Sequence, residues 1–599
     1  MKLEKKLCRQ MERETKEMAY EPEHNGIHQS VANIKKWIKA VLMSKAFLYI
    51  VVAVLSALYF IYLYGTNVLN PTYVDWLLNG DDTTQHYIGW CGYRNGKWTF
   101  PIGNTDQLMH PNSSSIIFTD SIPLFAVFFK LLSPILPRQF QYFGFWGLFC
   151  FCMQGLIGAR TINRFTESRC KIILSAILIL MAPVMIQRMF GHTALAGQWL
   201  ILFALDNFFE DACRTMDDSS GNSFIRNKKI YYRWAITGAL CASVHIYFIP
   251  MCGIILVGSI MMHVLKYKKP LDGLFMLLSY ILSCVLIIWI LGGLTAGTDN
   301  VATGLGELSF NLNGLYNPQE WYWSRYIKCL DLYGNFQYEG FSYMGLGCIF
   351  LFIISCFILL NVENVGKRIT GQWQLVLGVI IILIIAVIVA TSPVVTKDSN
   401  IVFQYNIPTW LHGLWSTFRS SGRFAWIMVY TLVVCACIVM AKFASARIGI
   451  AAIALAVFLQ YQDLGIVRVL KHMSFSEKTI HESQLRNETF WDTIAKDSEI
   501  DDIVFTSGFY EMDHGKAYDI AQFAFNNSKT ISNFCLAREM DYSNAMREAL
   551  ETLDSSDIFV FRLEDNELCR KYDLYYYFID ELIIGCSKRI GDFETVGFD

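Results

Sequence analysis

The chain has 599 residues, of which 54% are hydrophobic, 15% aromatic and 17% charged, against roughly 25% charged in an ordinary soluble domain. Between Ala46 and Gln462 it holds repeated stretches of 15 or more residues without Asp, Glu, Lys or Arg, about the length a helix needs to cross ~30 Å of hydrocarbon. These features exclude a soluble single-core enzyme, a disordered chain and a disulfide-stapled secreted domain, and a net charge of −2 gives no basic field for nucleic acid.

Residues 1–45 carry ten Lys/Arg and six Asp/Glu, and end in Lys35, Lys36, Lys39 and Lys45. The positive-inside rule assigns this segment to the cytoplasm, and so polar a start is not a cleaved signal peptide. A first crossing at 46–64 leads to a long outer loop, 65–120. The apolar stretch 121–136 contains Lys130 and is bracketed by Pro123, Pro134 and Pro137, so it reads as an interfacial helix.

Later crossings are expected at 140–159, 172–187, 194–209, 234–249, 250–265, 274–292, 343–361, 373–391, 424–441 and 448–462. Two basic clusters, Arg226/Lys228/Lys229/Arg233 and Lys266/Lys268/Lys269, flank a charge-free stretch and must lie on one side, so 234–265 is a hairpin broken near Pro250. The total is eleven crossings, with large outer loops at 65–120, 293–342 and 392–423. Asp206 is nearly the only acid within a crossing. Beyond Asp463 the composition becomes that of a soluble domain. Strands at 501–506 and 556–562 alternate with helices at 475–496, 516–526 and 543–553, which predicts a small extracytoplasmic α/β domain over 463–599.

The seventeen cysteines include no CxxC pair, and those inside apolar stretches read as small buried hydrophobes. No Walker A motif occurs, and Gly304-Leu305-Gly306 and Gly345-Leu346-Gly347 lack the third glycine of a dinucleotide fingerprint. An outward-facing site therefore needs an activated donor from the lipid phase.

The first outer loop contains Asp81, Asp82 and His86, then His110 and Asp120. Paired acids at a membrane surface can act as a general base toward a hydroxyl or bind a divalent cation, and Asp can equally cap the helix starting near Thr83. His86, His110, His192, His245 and His412 are expected at the outer side, and with the acids they suggest one polar pocket. The second outer loop offers Tyr338 and Glu339, and Trp321, Tyr322 and Trp323, which suit an interfacial belt or sugar stacking. The third ends in Phe418-Arg419-Ser420-Ser421-Gly422-Arg423, where Arg419 and Arg423 run against the positive-inside bias. They suit a phosphate, or interfacial snorkelling.

The stretches GDDTTQHYIGW, WTFPIGN, FTDSIPLFAVFFKLLSP, FQYFGFW, FGHTALAGQW, YEGFSYMGLG, FRSSGRF and TISNFCLARE resemble a bacterial family of polytopic membrane proteins, catalogued as a domain of unknown function and similar to the GT-C superfamily of glycosyltransferases. The resemblance implies a GT-C-like helical fold in the bacterial cytoplasmic membrane and an essential acid in the first outer loop. Asp82 matches that acid, while Asp81 stands where the family more often has Gly. It implies transfer of a sugar from a polyprenyl-phosphate donor to a surface glycan, lipid or protein. Asp82 or Asp81 would act as base, Arg419, Arg423 or both would hold the donor phosphate, and His86, His110, Asp120, His192, His245, Tyr338 and Glu339 would line the pocket. A transporter or flippase of lipid-linked glycans and a non-catalytic envelope assembly protein are the alternatives.

Overall fold

The computed structural model describes residues 44–214, 223–294, 304–362, 371–538 and 540–598. The cytoplasmic segment expected over 1–45 lies outside them up to residue 43. Contacts divide the chain into Met1–Val52 and Ala53–Asp599, and the packing below belongs to the second unit.

Helices occupy every apolar segment: Lys45–Tyr64, Phe143–Ile162, Arg169–Leu180 followed by Pro183–Arg188, Trp199–Cys213, Ser223–Val244, Phe248–Tyr267, Pro270–Ile290, Leu346–Leu360, Trp373–Thr391, Ala425–Lys442 and Ala446–Asp463. Among the described residues, six helices are long and apolar enough to cross a membrane, or seven if Ala446–Asp463 and Gly465–Ser476, bent by 57°, form one span. The others fall short for local reasons. The stretch 172–187 breaks before Pro183, whose ring and missing N–H disrupt a continuous ladder. Leu346–Leu360 has only 15 residues, and Ser223–Val244 has a charged first half.

The hairpin break differs from the expectation. It falls between Val244 and Phe248, and Pro250 stands in the first turn of Phe248–Tyr267, where an absent N–H leaves no ladder bond unmade. Gly345 (φ 87°) precedes the Leu346–Leu360 helix, and a Cβ on Gly347 would lie 2.0 Å from the Ala456 carbonyl oxygen. This Gly-x-Gly therefore serves a helix start and a close helix crossing.

At one end of the bundle, the buried acids sit in groups with basic or imidazole partners. Fully buried Asp206 pairs with Arg164 at 2.9 Å, Arg233 at 2.8 Å and Arg160 at 3.2 Å. Glu210 pairs with Arg164 at 2.7 Å and Lys229 at 3.4 Å. Asp206 is not so isolated as the sequence suggests: Asp211 and Asp272 are also buried, and they bracket His263 at 2.8 and 3.3 Å. An unpaired buried charge would cost several kcal/mol, which explains the clustering.

At the other end lie the loop elements. The helix Asp82–Asn95, the hairpin β1 (Asn104–Met109) with β2 (Asn112–Ser115), and the short helix Pro123–Leu131 come from the first loop and the stretch after it. The last is a helix within the stretch 121–136. Lys130 stands over the rings of Tyr93 at 4.0 Å and Trp98 at 4.8 Å. A second hairpin pairs β3 (Val394–Lys397) with β4 (Asn400–Gln404).

The tail folds on a five-stranded sheet. Its strands are β5 (Asp502–Phe505), β6 (Thr530–Ile531), β7 (Asp557–Phe561), β8 (Tyr575–Ile579) and β9 (Leu582–Cys586), in the order β6-β5-β7-β9-β8. β6, β5 and β7 are parallel and β7, β9 and β8 antiparallel. The helices His514–Asn526 and Ser543–Thr552 lie where expected. The first expected helix is confined to Glu488–Lys496, and residues 477–487 are not helical.

A carboxylate, histidine and arginine cavity

Gly80 takes φ 85° and its N–H donates to Thr84 Oγ1 at 2.9 Å, while that hydroxyl donates to the Leu77 carbonyl at 2.8 Å. The turn thus closed starts the helix at Asp82 and separates the two acids. Asp81 is the residue before the helix, and its carboxylate accepts from Asn79 Nδ2 at 3.1 Å. Asp82 faces a cavity of about 680 Å³.

Five other segments bring polar groups to this cavity. Asp120 ends the 3-10 turn Ile116–Thr119 with φ 53° and is followed by Ile122 at φ 54°, a conformation costly for a β-branched residue. His192 lies between Pro183–Arg188 and the turn Thr193–Ala196, and His245 follows Ser223–Val244. Glu339 sits in the 3-10 stretch Asn335–Gly340 and Arg423 in Ser421–Phe424. The last two stretches touch through glycine: a Cβ on Gly422 would lie 2.5 Å from Gly340 Cα.

Each acid lining the cavity has a cationic or imidazole partner. His192 Nδ1 is 2.8 Å from Asp82 Oδ2, and its Nε2 is 3.5 Å from Glu339 Oε1. Glu339 accepts from Arg423 Nε at 2.7 Å and Arg188 Nη2 at 2.8 Å. His245 Nε2 is 3.2 Å from Asp120 Oδ1. The Arg423 guanidinium stands 4.8 Å from the Tyr247 ring centre, and the Tyr247 hydroxyl accepts from the Ser420 N–H at 3.1 Å.

Burial opposes ionisation of all three acids, and their partners outweigh it. Arg423 and Arg188 hold Glu339 far below the usual carboxylate range, His245 holds Asp120 low, and the hydrogen bond and charge of His192 hold Asp82 low. Burial likewise disfavours the His192 imidazolium, but Asp82 and Glu339 raise its pKa above the ordinary value. The Glu339 side chain is 5% exposed and that of Asp82 is 48% exposed. Asp82 is thus the acid open to an incoming molecule, while Glu339 holds the wall together.

The cavity gathers Asp82, Asp120, His192, His245, Tyr338, Glu339, Arg419 and Arg423, and other expected residues stand elsewhere. Asp81 is outside the lining, turned to Asn79. His86 is buried behind the wall, its ring stacked on Phe143, and burial pushes its pKa down to about 4. His110 faces the tail instead: its ring is 3.4 Å from Asp502 and its N–H donates to the Ile531 carbonyl. His412 is on the exposed helix Thr409–Ser416. Among the described residues, no group of three or more His, Cys, Asp or Glu is arranged to hold a metal ion, and Asp81 and Asp82 do not share the cavity. Arg423 is tied to Glu339, which raises its pKa against the effect of burial, whereas Arg419 has no side-chain partner among the described residues.

Two residues at the site were not anticipated, Arg188 behind the lining against Glu339 and Arg538 within it. Arg188 reads in the sequence as a charge at the end of an apolar stretch, and Arg538 arrives from the tail. The tail also adds Tyr510, Leu536 and Ala537.

These features define a multi-span membrane protein with a polar cavity at one end of its helices. The chain belongs to the family described as a domain of unknown function, DUF6311: the family model matches residues 53–465, and that of the DUF6311 C-terminal domain matches 490–588. No curated protein matches its sequence. Among solved structures it is similar to crystal structures of the Archaeoglobus fulgidus oligosaccharyltransferase. With the form tethered to an acceptor peptide containing the NVT sequon, identity is 12% over 92% of this chain and 75% of that one, with a TM-score of 0.44. The apo form gives 13%, 89%, 73% and 0.44, and the form with zinc and sulfate 11%, 90%, 73% and 0.43.

Proposed function

We propose that the protein is a GT-C-type glycosyltransferase of the bacterial cytoplasmic membrane, moving a sugar from a polyprenyl-phosphate-linked donor to an extracytoplasmic glycan, lipid or protein. The observation that carries this reading is the meeting, in one cavity, of a half-exposed ionised acid and an arginine that no carboxylate pairs among the described residues. The cavity also lies at the end of the helices away from the basic clusters. Ala242 and Val244 end the same helix whose other half carries Arg233, so the positive-inside rule supports an outer position. Eleven crossings, a cytoplasmic N-terminus and an outer-face tail over 463–599 complete the topology proposed.

In the reaction, the acceptor hydroxyl gives its proton to Asp82 and its oxygen bonds to the anomeric carbon. The bond from that carbon to the phosphate oxygen breaks, and the phosphate leaves with the electron pair. Arg419 neutralises the leaving charge by a forked hydrogen bond. His192 keeps Asp82 ionised and oriented. The apolar wall of Ala242, Val244, Ile246 and Leu308 suits the isoprenoid chain entering from the bilayer.

A transporter needs a polar route across the bundle. Trp146, Trp199, Trp234 and Trp426 are instead fully buried in these helices, and the acids of the other end are locked in ion pairs. The test uses the full chain in nanodiscs with radiolabelled polyprenyl-phosphate sugars. Acceptor-dependent cleavage that Asp82→Asn abolishes supports transfer. Movement of the intact lipid between leaflets without cleavage overturns it.

A further inference from the structure

The basic side chains at the cavity divide into two groups. His192, His245 and Arg423 in its lining, and Arg188 behind it, are each engaged with Asp82, Asp120 or Glu339. Arg419 and Arg538 line the same cavity, and among the described residues neither is paired with a carboxylate. Among the described residues, two permanent positive charges thus face one space without a paired acid.

They come from different parts of the chain. Arg419 precedes the Ser421–Phe424 turn of the membrane region, and Arg538 follows β6 in the tail. Arg538 does not sit on a loose appendage, because the chain just before it is bound to the segments that carry the acids. The Ala537 N–H donates to the Phe118 carbonyl at 2.7 Å, two residues before Asp120. Gln85 Nε2, one turn after Asp82, donates to the Cys535 carbonyl at 2.6 Å. At the other end of that first-loop helix, Asn95 Nδ2 donates to the Phe525 carbonyl at 2.7 Å. These bonds fix the 535–538 segment beside both acids.

We propose that Arg538 and Arg419 together form a two-point anion site whose ligand is a lipid diphosphate, so that the tail supplies half of the donor's leaving-group site. A phosphodiester bears one negative charge and is matched by one guanidinium. A diphosphate diester bears two, one on each phosphorus, and matches two guanidiniums that no described carboxylate engages, each able to fork onto its own phosphate. This rests on the transferase reading and narrows it to a diphosphate-linked donor. When the glycosidic bond breaks, the lipid diphosphate departs with the electron pair, and the added charge falls on the phosphate nearest the sugar.

The test is equilibrium binding to the full chain in nanodiscs, with polyprenyl diphosphate and polyprenyl monophosphate, both without sugar, as probes. The diphosphate should bind at least roughly tenfold more tightly, one charge-assisted contact being the difference. Arg538→Gln should erase most of that preference and leave monophosphate binding within a few fold, Arg419→Gln should weaken binding of both lipids, and Arg538→Lys should retain part of the preference. Lys496→Gln, at a tail lysine 79% exposed, should change neither. Equal binding of both lipids, unmoved by Arg538→Gln, overturns the diphosphate site, and turnover of a monophosphate-linked sugar would then leave the transferase standing. Binding of neither lipid overturns both readings.

Discussion

His192 Nδ1 lies 2.8 Å from Asp82 Oδ2, an imidazole from the loop after Pro183–Arg188 meeting a carboxylate more than a hundred residues earlier. Because the other ring nitrogen faces Glu339 at 3.5 Å, one side chain links the exposed acid to the buried Arg188–Glu339–Arg423 group. Disturbance of either end should therefore reach the other.

The first consequence concerns the two adjacent acids. Asp82→Asn should lower transfer by about 100-fold or more with expression maintained, the scale of a lost general base. Asp81→Asn should stay within a few fold, since that carboxylate bonds Asn79 outside the cavity. Initial rates of sugar transfer in nanodiscs check this, and full activity of Asp82→Asn removes it from the base role.

The second concerns pH. The His192 contact lowers the pKa of Asp82, so the wild type should keep its base ionised to below the ordinary carboxylate range. In His192→Gln the compensating cation is gone while burial remains, so the pKa rises and the acid limb of the rate profile moves to higher pH. In the wild type, raising pH through the elevated His192 pKa removes the imidazolium that supports Asp82, and His192→Gln should lose that alkaline dependence. An acid limb unchanged in the variant would separate His192 from the base.

Much of this site is visible in the sequence as residue types, and less of it as an arrangement. Asp82, Asp120, His192, His245, Glu339, Arg419 and Arg423 share the cavity because charge-bearing loops alternate with apolar helices, and the positive-inside rule sorts them to one end. The sorting gives depth alone, so it also collected His110, whose ring faces the tail, and His412, which stands on the exposed helix Thr409–Ser416. Arg188 was hidden because a buried arginine is told from a boundary charge only by its partner, Glu339. In the tail, β5 and β7 show as apolar runs, whereas β8 and β9 were missed. Their hairpin turns on Asp580 and Glu581, both at positive φ, without the Asn-Gly or Asp-Gly signal of such a turn.

The third concerns the buried wall. Glu339→Gln leaves Arg188 and Arg423 as adjacent buried cations with one neutral acceptor, and breaking a buried pair typically costs about 3–5 kcal/mol. The midpoint of thermal unfolding in detergent should fall by several degrees, more than for Asp120→Asn, whose acid has one partner. An equal or smaller effect at Glu339 would place the wall's stability elsewhere.

The fourth concerns topology. A reporter active only outside the cytoplasm, fused after Glu477, should be active, and one fused at Lys269 should not. A silent fusion at Glu477 would place the tail inside and withdraw the cavity from the outer face.

The last concerns Arg423, whose guanidinium does two things at once. Its Nε donates to Glu339 at 2.7 Å and its face lies on the Tyr247 ring, whose hydroxyl holds the Ser420 N–H beside Arg419. Lysine keeps the charge but presents neither a fork nor a flat face. Arg423→Lys should therefore lower the transfer rate substantially while leaving Glu339 neutralised, so its stability should lie nearer the wild type than that of Glu339→Gln. Arg419→Lys should instead raise the donor KM with less change in stability, because that side chain supports nothing else in the wall. Kinetics across Arg, Lys and Ala at both positions, with unfolding midpoints alongside, distinguish these roles. If all variants at both positions match the wild type, the arginines are interface anchors and the donor phosphate is held elsewhere.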